Sequence, residues 1–452
     1  MSDVLSSQVD MIREAFHYQS RFEGSTMVFK IDFPVTEDPG FPGLVKDLAL
    51  LAKTGFKVII VPGVKENIDA VFKQHDIDSS YTNSADGGAG NALAKDFPVR
   101  ITSRQAIPFV EMAAFNAASR FMTFLSGSRV DAVIGNFTRA RGLGVINGID
   151  TEHTGTVDKI YEDSLKRVLD LGMVPILPCV GWSPSGKPYN VPSDEIALAV
   201  SATLGVKKLF IVSAREGIMG KNLSSRENIE TRPDGTLIRL TPKQAEMVIN
   251  SSSVPQYQLR ELKLALLANR AGVHRVHLIN GREEGSILKE LFSNLGTGLM
   301  VYADEYDLIS PMRSRDLPDI LRLMEPLMQK GILVRRNPEQ IQEKKDDYSV
   351  LEFDGSIRAC GALHDWGDSQ GEIAAVAIDP MYKDLGLGRR IVGFLIEKAK
   401  KSKMRRVFAL TTQTQDWFES LGFKETPIES LPERKQKVYD KNRKSKVFAL
   451  DL

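Results

Sequence analysis

The sequence has only two cysteines, Cys179 and Cys360, far apart and each in apolar surroundings. That excludes a disulfide framework and fits two buried thiols in a reducing compartment. The six histidines are scattered, with no close Cys/His spacing, which argues against a bound metal. No apolar run approaches the roughly 20 residues that cross a bilayer. Residues 1–10 are polar and lack the apolar core of a signal peptide. The expectation is a soluble cytoplasmic protein that binds no membrane. Charge of one sign is missing too: 59 basic against 58 acidic residues leave a formal net charge of +1. No global field therefore favours nucleic acid or an anionic surface. Internal repeats and low-complexity stretches are absent.

What is present is ordinary globular material, 42% hydrophobic and 26% charged, in a 452-residue chain long enough for two or three domains. An amphipathic helix over 9–22 leads the chain, with Met11, Ile12, Ala15 and Phe16 on one face. Strand and helix patterns then alternate. Strands are expected at 27–31, 56–61, 132–134, 174–179, 208–212 and 273–279. Helices are expected at 44–53, 106–125, 157–171, 194–204 and 256–271. Helices inserted between buried strands predict a mostly parallel sheet covered on both faces, an α/β arrangement. Residues 81–91, with Asp86-Gly-Gly-Ala-Gly-Asn, read as a loop. The pattern breaks near 304–314 and restarts. A helix at 316–330 is followed by strands at 348–353 and 357–363 around the hairpin signal Asp354-Gly355. A strand at 372–378, a helix at 390–401, a strand at 407–411, a short helix at 414–420 and a final strand at 446–450 complete the chain. Domains are expected over 1–300 and 305–452.

The most informative stretch is Ile378-Asp-Pro-Met-Tyr-Lys-Asp-Leu-Gly-Leu-Gly-Arg-Arg, between a strand and a helix. Gly386 and Gly388 lack a Cβ, so the backbone can wrap closely around a ligand. The amides from Gly386 to Arg390 fall in a first helical turn, where free N–H groups and the helix dipole bind anions. The turn lacks the Gly-Lys-Ser/Thr ending of a nucleotide P-loop, and it lies too late for a dinucleotide fingerprint. Basic residues cluster only over 434–446, as a solvated face or as a site for an anionic ligand.

The glycine turn resembles the pyrophosphate loop of GNAT acetyltransferases, with Lys383 where that pattern prefers Arg or Gln. Asp354-Gly-Ser-Ile, Ala377-Ile-Asp-Pro, Leu410-Thr-Thr-Gln-Thr, Trp417-Phe-Glu-Ser-Leu-Gly-Phe and Arg443-Lys-Ser-Lys-Val resemble the bacterial N-acetylglutamate synthase family. Ser183-Pro-Ser-Gly, Tyr189-Asn-Val-Pro-Ser-Asp-Glu and His277-Leu-Ile-Asn-Gly-Arg are similar to amino-acid kinases. The resemblance implies a three-layer αβα kinase-like domain followed by a mixed-sheet α+β GNAT domain. It implies acetyl transfer from acetyl-CoA to the α-amine of L-glutamate, in arginine biosynthesis, without a metal. L-Arginine is implied as effector of the kinase-like half, and a homo-oligomer, a hexamer in relatives, as the assembly. In a working kinase of this kind glycines follow the first strand; here Asp32 and Phe33 follow Lys30, and Val61-Pro-Gly-Val-Lys-Glu replaces a glycine-rich loop. Side chains there block the close approach that phosphates need. This half is therefore expected to transfer no phosphate, with Lys30 and Asp194 as remnants.

The site residues follow from the same resemblance. Val376, Ala377, Ile378, Lys383, Gly386, Leu387, Gly388, Arg389 and Arg390 would hold the cofactor. Leu333, Arg335, Ala375, Arg434, Arg443 and Ser445 would bind glutamate, whose two carboxylates suit planar guanidinium forks. Lys435, Lys437, Lys441 and Lys444 read as solvated charge. Lys221, His277, Glu290 and Gly296 would form the arginine site. Glu372 would act as general base through a water, since only the free amine attacks. Thr411 would orient the sulfur; Asp416 is ionised near neutral pH and a poor proton donor, so no general acid is assigned. Three other readings stay open: a different acceptor such as aspartate, an arginine sensor acting on a partner enzyme, and a true kinase fused to an acetyltransferase.

Overall fold

The structure, a computed structural model, describes Gln19 and residues 22–82, 97–220, 229–251, 254–292, 296–303, 307–353, 356–380 and 386–452. The chain divides into two compact units, one ending at Asp304 and one beginning at Glu305.

The first unit is built on a nine-stranded sheet. A central strand, Thr26–Ile31, runs parallel to Lys57–Pro62 on one side and Lys208–Ser213 on the other. Alternate residues of that strand feed two different cores, as the period of 2 requires. Met27, Phe29 and Ile31 pack with Leu48 and Phe121 from the helices Phe41–Lys53 and Ile107–Gly127. Val28 packs with Val200 and Leu262 from Ser193–Thr203 and Gln256–Arg270 on the opposite face. Every side chain of Met27–Ile31 is buried, which explains why the strand reads as apolar apart from Lys30. The result is a three-layer αβα unit with a mostly parallel sheet.

Several expected elements differ. Residues 157–160 are not helical. They belong to the strand Gly155–Ile160, which pairs antiparallel with Thr138–Gly142 in a separate four-stranded sheet, and the helix begins at Glu162. Thr156, Val157 and Ile160 are β-branched and fit a pleated surface. The helices Lys65–Gln74 and Pro338–Glu343 are additions to the sequence reading. Tyr81 and Thr82 pair with Val99–Arg100 rather than opening a loop, and 83–91 lie outside the described residues. Of the expected leading helix only Gln19 and Phe22 are described, both helical.

The second unit has a seven-stranded mixed sheet. Its edge strand, Asp307–Pro311, lies within the stretch read from sequence as a break. The helix Leu387–Lys401 covers one face, packing Ile391 and Leu395 on Leu363 and Val407. The helices Leu317–Gln329 and Pro338–Glu343 cover the other face beside Tyr348 and Cys360.

Candidate functional site

The strands Gln370–Ile378 and Arg406–Thr411 start as parallel neighbours, paired at Gln370, Gly371 and Glu372 with Arg406, Val407 and Phe408. Beyond Glu372 they part. The first stays paired with Ser356–Asp365 and the second with Lys446–Asp451. Among the described residues, the divergence leaves the inner edge of 373–378, including Val376, Ala377 and Ile378, without a strand partner on that side. Ala375 marks the spot with φ +54, unusual for a residue with a Cβ, and the register slips there between Cys360 and Ala362. Such a bulge inverts the side-chain alternation. Accordingly Ile373 packs under the Leu387–Lys401 helix, whereas Ala375 and Ala377 join the core on the other face. The Cys360 thiol donates to the Ala375 carbonyl at 3.6 Å and steadies the bulge.

The glycine turn sits at the wide end of this cleft. Gly386 is the N-cap of Leu387–Lys401, with φ +67 and no side-chain cap. The amides of Leu387, Gly388 and Arg389 therefore lack helical acceptors, while Arg390 N–H donates to the Gly386 carbonyl at 3.2 Å. The two glycines serve different needs. A Cβ on Gly386 would meet nothing within 4 Å, so its left-handed backbone alone calls for glycine. A Cβ on Gly388 would lie 2.7 Å from Ile378 and 3.0 Å from Trp417. Helix-to-strand packing, not only ligand approach, keeps that position small. Arg389 and Arg390 are exposed. Lys383 lies outside the described residues.

Glu372 is buried at the vertex of the cleft, 6% exposed. Both its oxygens are engaged, by Lys435 Nζ at 2.8 and 2.7 Å and by the Trp366 indole at 2.8 Å. Lys435 is thus a half-buried ion-pair partner and not the solvated charge expected from sequence. Thr411 ends its strand by closing a turn: its hydroxyl lies 2.7 Å from that of Thr414 and accepts the Thr414 N–H at 3.0 Å.

Contacts link some of the expected substrate residues to one another. Leu333 packs on the same core as Ala375. Arg443 donates through Nη2 to the Gly331 and Ile332 carbonyls, both at 3.0 Å, and so ties the C-terminal segment to the turn that carries Leu333 and Arg335. The Ser445 carbonyl accepts from the Tyr439 hydroxyl at 2.5 Å. Arg335 and Arg434 are exposed, and among the described residues neither forms an ion pair. Arg434 shares the helix Glu433–Lys437 with Lys435.

In the first unit, His277, Glu290 and Gly296 come together, while Lys221 lies outside the described residues. Phe29, Phe210 and His277 stand in register on three adjacent strands, and their rings stack at 4.6 Å spacings. His277 Nδ1 lies 2.6 Å from Glu290 Oε1. Burial pushes the His277 pKa down, so the neutral ring donates to the carboxylate. Burial alone would raise Glu290, but His277 and the amides of Gly298 and Thr297 hold it below its usual range. Those amides donate to Oε2 at 2.9 and 2.8 Å. Gly296, at φ +60, has no room for a Cβ, which would collide with that carboxylate. Sequence reasoning missed Arg232, which clamps the same turn through the Gly298 carbonyl at 2.7 Å. Nothing in its Thr-Arg-Pro-Asp-Gly setting signals that long-range contact.

A cavity of about 400 Å³ opens at the ends of the central strands, lined by Lys30, Asp32, Asp194, Arg260 and others. Lys30 Nζ lies 2.5 Å from Asp32 and 2.9 Å from Asp194, and Arg260 holds the other Asp194 oxygen at 2.6 Å. Burial opposes the Lys30 charge, but the two carboxylates outweigh it and raise its pKa.

Residues 34–280 match the amino acid kinase family and residues 317–423 the acetyltransferase (GNAT) family. The chain is 31% identical to the amino-acid acetyltransferase of Pasteurella multocida, covering 97% of each. Against that of Salmonella typhimurium the identity is 32%, covering 98% of each. Among solved structures it is similar to N-acetylglutamate synthase from Neisseria gonorrhoeae complexed with coenzyme A and L-arginine, with TM-score 0.83 and 30% identity over 98% of this chain and 99% of that one. The same Neisseria protein complexed with coenzyme A and N-acetyl-glutamate gives TM-score 0.60 at 31% identity, again over 98% and 99%.

Proposed function

Since the chain belongs to the amino-acid acetyltransferase family, with a kinase-like unit ahead of a GNAT unit, we propose that it transfers acetyl from acetyl-CoA to the α-amine of L-glutamate. The observation that carries this reading is the parting of Gln370–Ile378 from Arg406–Thr411 beside an uncapped helix start. An extended thiol arm can lie along the freed strand edge while the first-turn amides take the pyrophosphate. Backbone N–H groups of 376–378 then face the thioester carbonyl, where negative charge develops during attack. Arg335, Arg434 and Arg443, with Leu333, Ala375 and Ser445, take the two glutamate carboxylates. Glu372 accepts the proton of the substrate ammonium through an ordered water. Thr411 fixes the turn beside the leaving sulfur.

In the first unit, Glu290, His277 and Gly296, with Lys221, receive L-arginine as the feedback effector of arginine biosynthesis. The ionised Glu290 suits a guanidinium, and the small Gly296 leaves its carboxylate room. The same reading includes a cytoplasmic homo-hexamer, which light scattering of the purified chain measures directly. The decisive experiment mixes protein, acetyl-CoA and single amino acids and follows thiol release. Glutamate-dependent release is expected, and arginine should alter its rate. Release with aspartate alone would move the acceptor assignment. Arginine binding without any release would leave only a sensor.

A further inference from the structure

Lys435 stands in the basic helix Glu433–Lys437, whose other cations, Arg434 and Lys437, are exposed. Its own side chain is only 12% exposed. The ammonium spans both oxygens of Glu372, at 2.8 and 2.7 Å, and lies 4.6 Å from the centroid of the Trp366 ring. The indole N–H of that ring donates to Glu372 Oε2 at 2.8 Å. Carboxylate, ammonium and indole thus close on one another. A lysine loses rotamer freedom and hydration in such a place, so its burial calls for a reason beyond solvating a helix.

The reason lies in position. Glu372 is the last residue at which the two parting strands still pair. His364 stands directly across the neighbouring strand, its Nδ1 2.6 Å from Asp347. An acidic substrate brought to this vertex would meet an unpaired buried carboxylate as a like charge in a low-dielectric setting. Lys435 cancels that charge without consuming the acceptor. Each carboxylate oxygen can accept two hydrogen bonds. Oε2 receives Lys435 and Trp366, whereas Oε1 receives only Lys435 among the described residues. One acceptor direction therefore remains for an ammonium or an ordered water. Taking acetyl transfer to glutamate as the reaction, we infer that Lys435 is a positioning residue: it aims and neutralises Glu372, so that a carboxylate can meet the ammonium of a diacid without repelling its carboxylates.

The test uses the full chain and thiol release, with separate titrations of glutamate and acetyl-CoA. Lys435→Met should lower kcat/KM for glutamate about 10- to 100-fold, with the KM for acetyl-CoA unchanged. Lys435→Arg, which keeps the charge, should restore most of the loss. In a Glu372→Gln background the further change Lys435→Met should cost little, because no carboxylate is left to aim. Unchanged kcat/KM in Lys435→Met, or an equal loss in both backgrounds, overturns the positioning role. If Lys435→Met does not fold, Lys435→Gln removes the charge with a polar side chain in its place; kcat/KM for glutamate should fall there too, and an unchanged value is equally fatal. Wild-type protein that releases no thiol with glutamate overturns the acetyl-transfer reading itself, a separate result.

Discussion

Replacing Glu195 with glutamine isolates a single buried proton. Glu195 sits in the first turn of Ser193–Thr203 and is 5% exposed. Its Oε1 accepts from the Thr156 hydroxyl and, at 2.7 Å, from the Val157 N–H, joining this helix to the strand Gly155–Ile160. Oε2 is buried without a partner. Burial raises the carboxyl from 4.5 to about 7, against the pull of Thr156, Val157 and Arg141. Below about pH 4.5 the group is neutral in both the folded and the unfolded chain, so it adds no pH dependence. Between pH 4.5 and 7 the unfolded chain gives up its proton while the folded chain keeps it, so stability falls as pH rises. At about 1.4 kcal/mol for each pH unit, the loss reaches about 3 kcal/mol and levels off above pH 7. Asp47, raised by burial to about 6, adds a dependence of the same sign, but it is common to both proteins and cancels in the difference. Denaturant unfolding at pH 5, 6, 7 and 8, with hydrogen exchange of the Val157 amide as local probe, measures the two slopes. The glutamine variant should lie flatter by about 3 kcal/mol across that range. Its absolute level carries the cost of a new unpaired amide N–H; its slope does not. Parallel curves for the two proteins would refute the argument.

The two turn glycines should separate in the same kind of measurement. Gly386→Ala meets open space but a φ of +67, and should cost about 1–2 kcal/mol of stability, with a modest rise in the KM for acetyl-CoA. Gly388→Ala forces Ile378 and Trp417 apart from the helix, costs about 1–3 kcal/mol and should shift Trp417 fluorescence as well. Arg443→Ala should raise the KM for glutamate by roughly 10- to 100-fold with the KM for acetyl-CoA unchanged, and Arg443→Lys should recover little because it lacks the planar fork. Glu290→Gln should weaken arginine binding roughly 100-fold in calorimetry while glutamate turnover without arginine stays intact. An unchanged arginine affinity would remove Glu290 from that site.

Much of this was legible in the chain because burial on both faces writes itself as apolar runs. Met27–Ile31 and Lys208–Ser213 read directly as strands, and Gly386 and Gly388 marked the turn before any coordinates. What stayed hidden depends on contacts that no local pattern encodes. Asp307–Pro311 ends in a proline, which argues against a strand except at a sheet edge, where this one lies. Residues 157–160 carry apolar spacing that suits a helix or a strand, and only the partner Thr138–Gly142 decides. The bulge at Ala375 breaks the period of 2 within a run of small apolar residues that gives no warning. The Lys435–Glu372 pair joins residues far apart in the chain, so a basic run looked like solvated charge until the fold buried one member of it.

In the kinase-like unit the cavity at the strand ends holds charges that are already paired. Phosphoryl transfer depends on positioned cations that stabilise the charge of the transferring group. Here Lys30 is already held between Asp32 and Asp194, and Arg260 is tied to the second oxygen of Asp194. A polyphosphate that drew on these two cations would have to break their ion pairs with Asp32 and Asp194, a costly exchange. The pairing also explains why Lys30 stays buried and charged although burial opposes its charge. Asp32, in a place where the resemblance leads one to expect a glycine, pairs with the Lys30 ammonium. Lys30 thereby braces the central strand against the helix Ser193–Thr203 through Asp194.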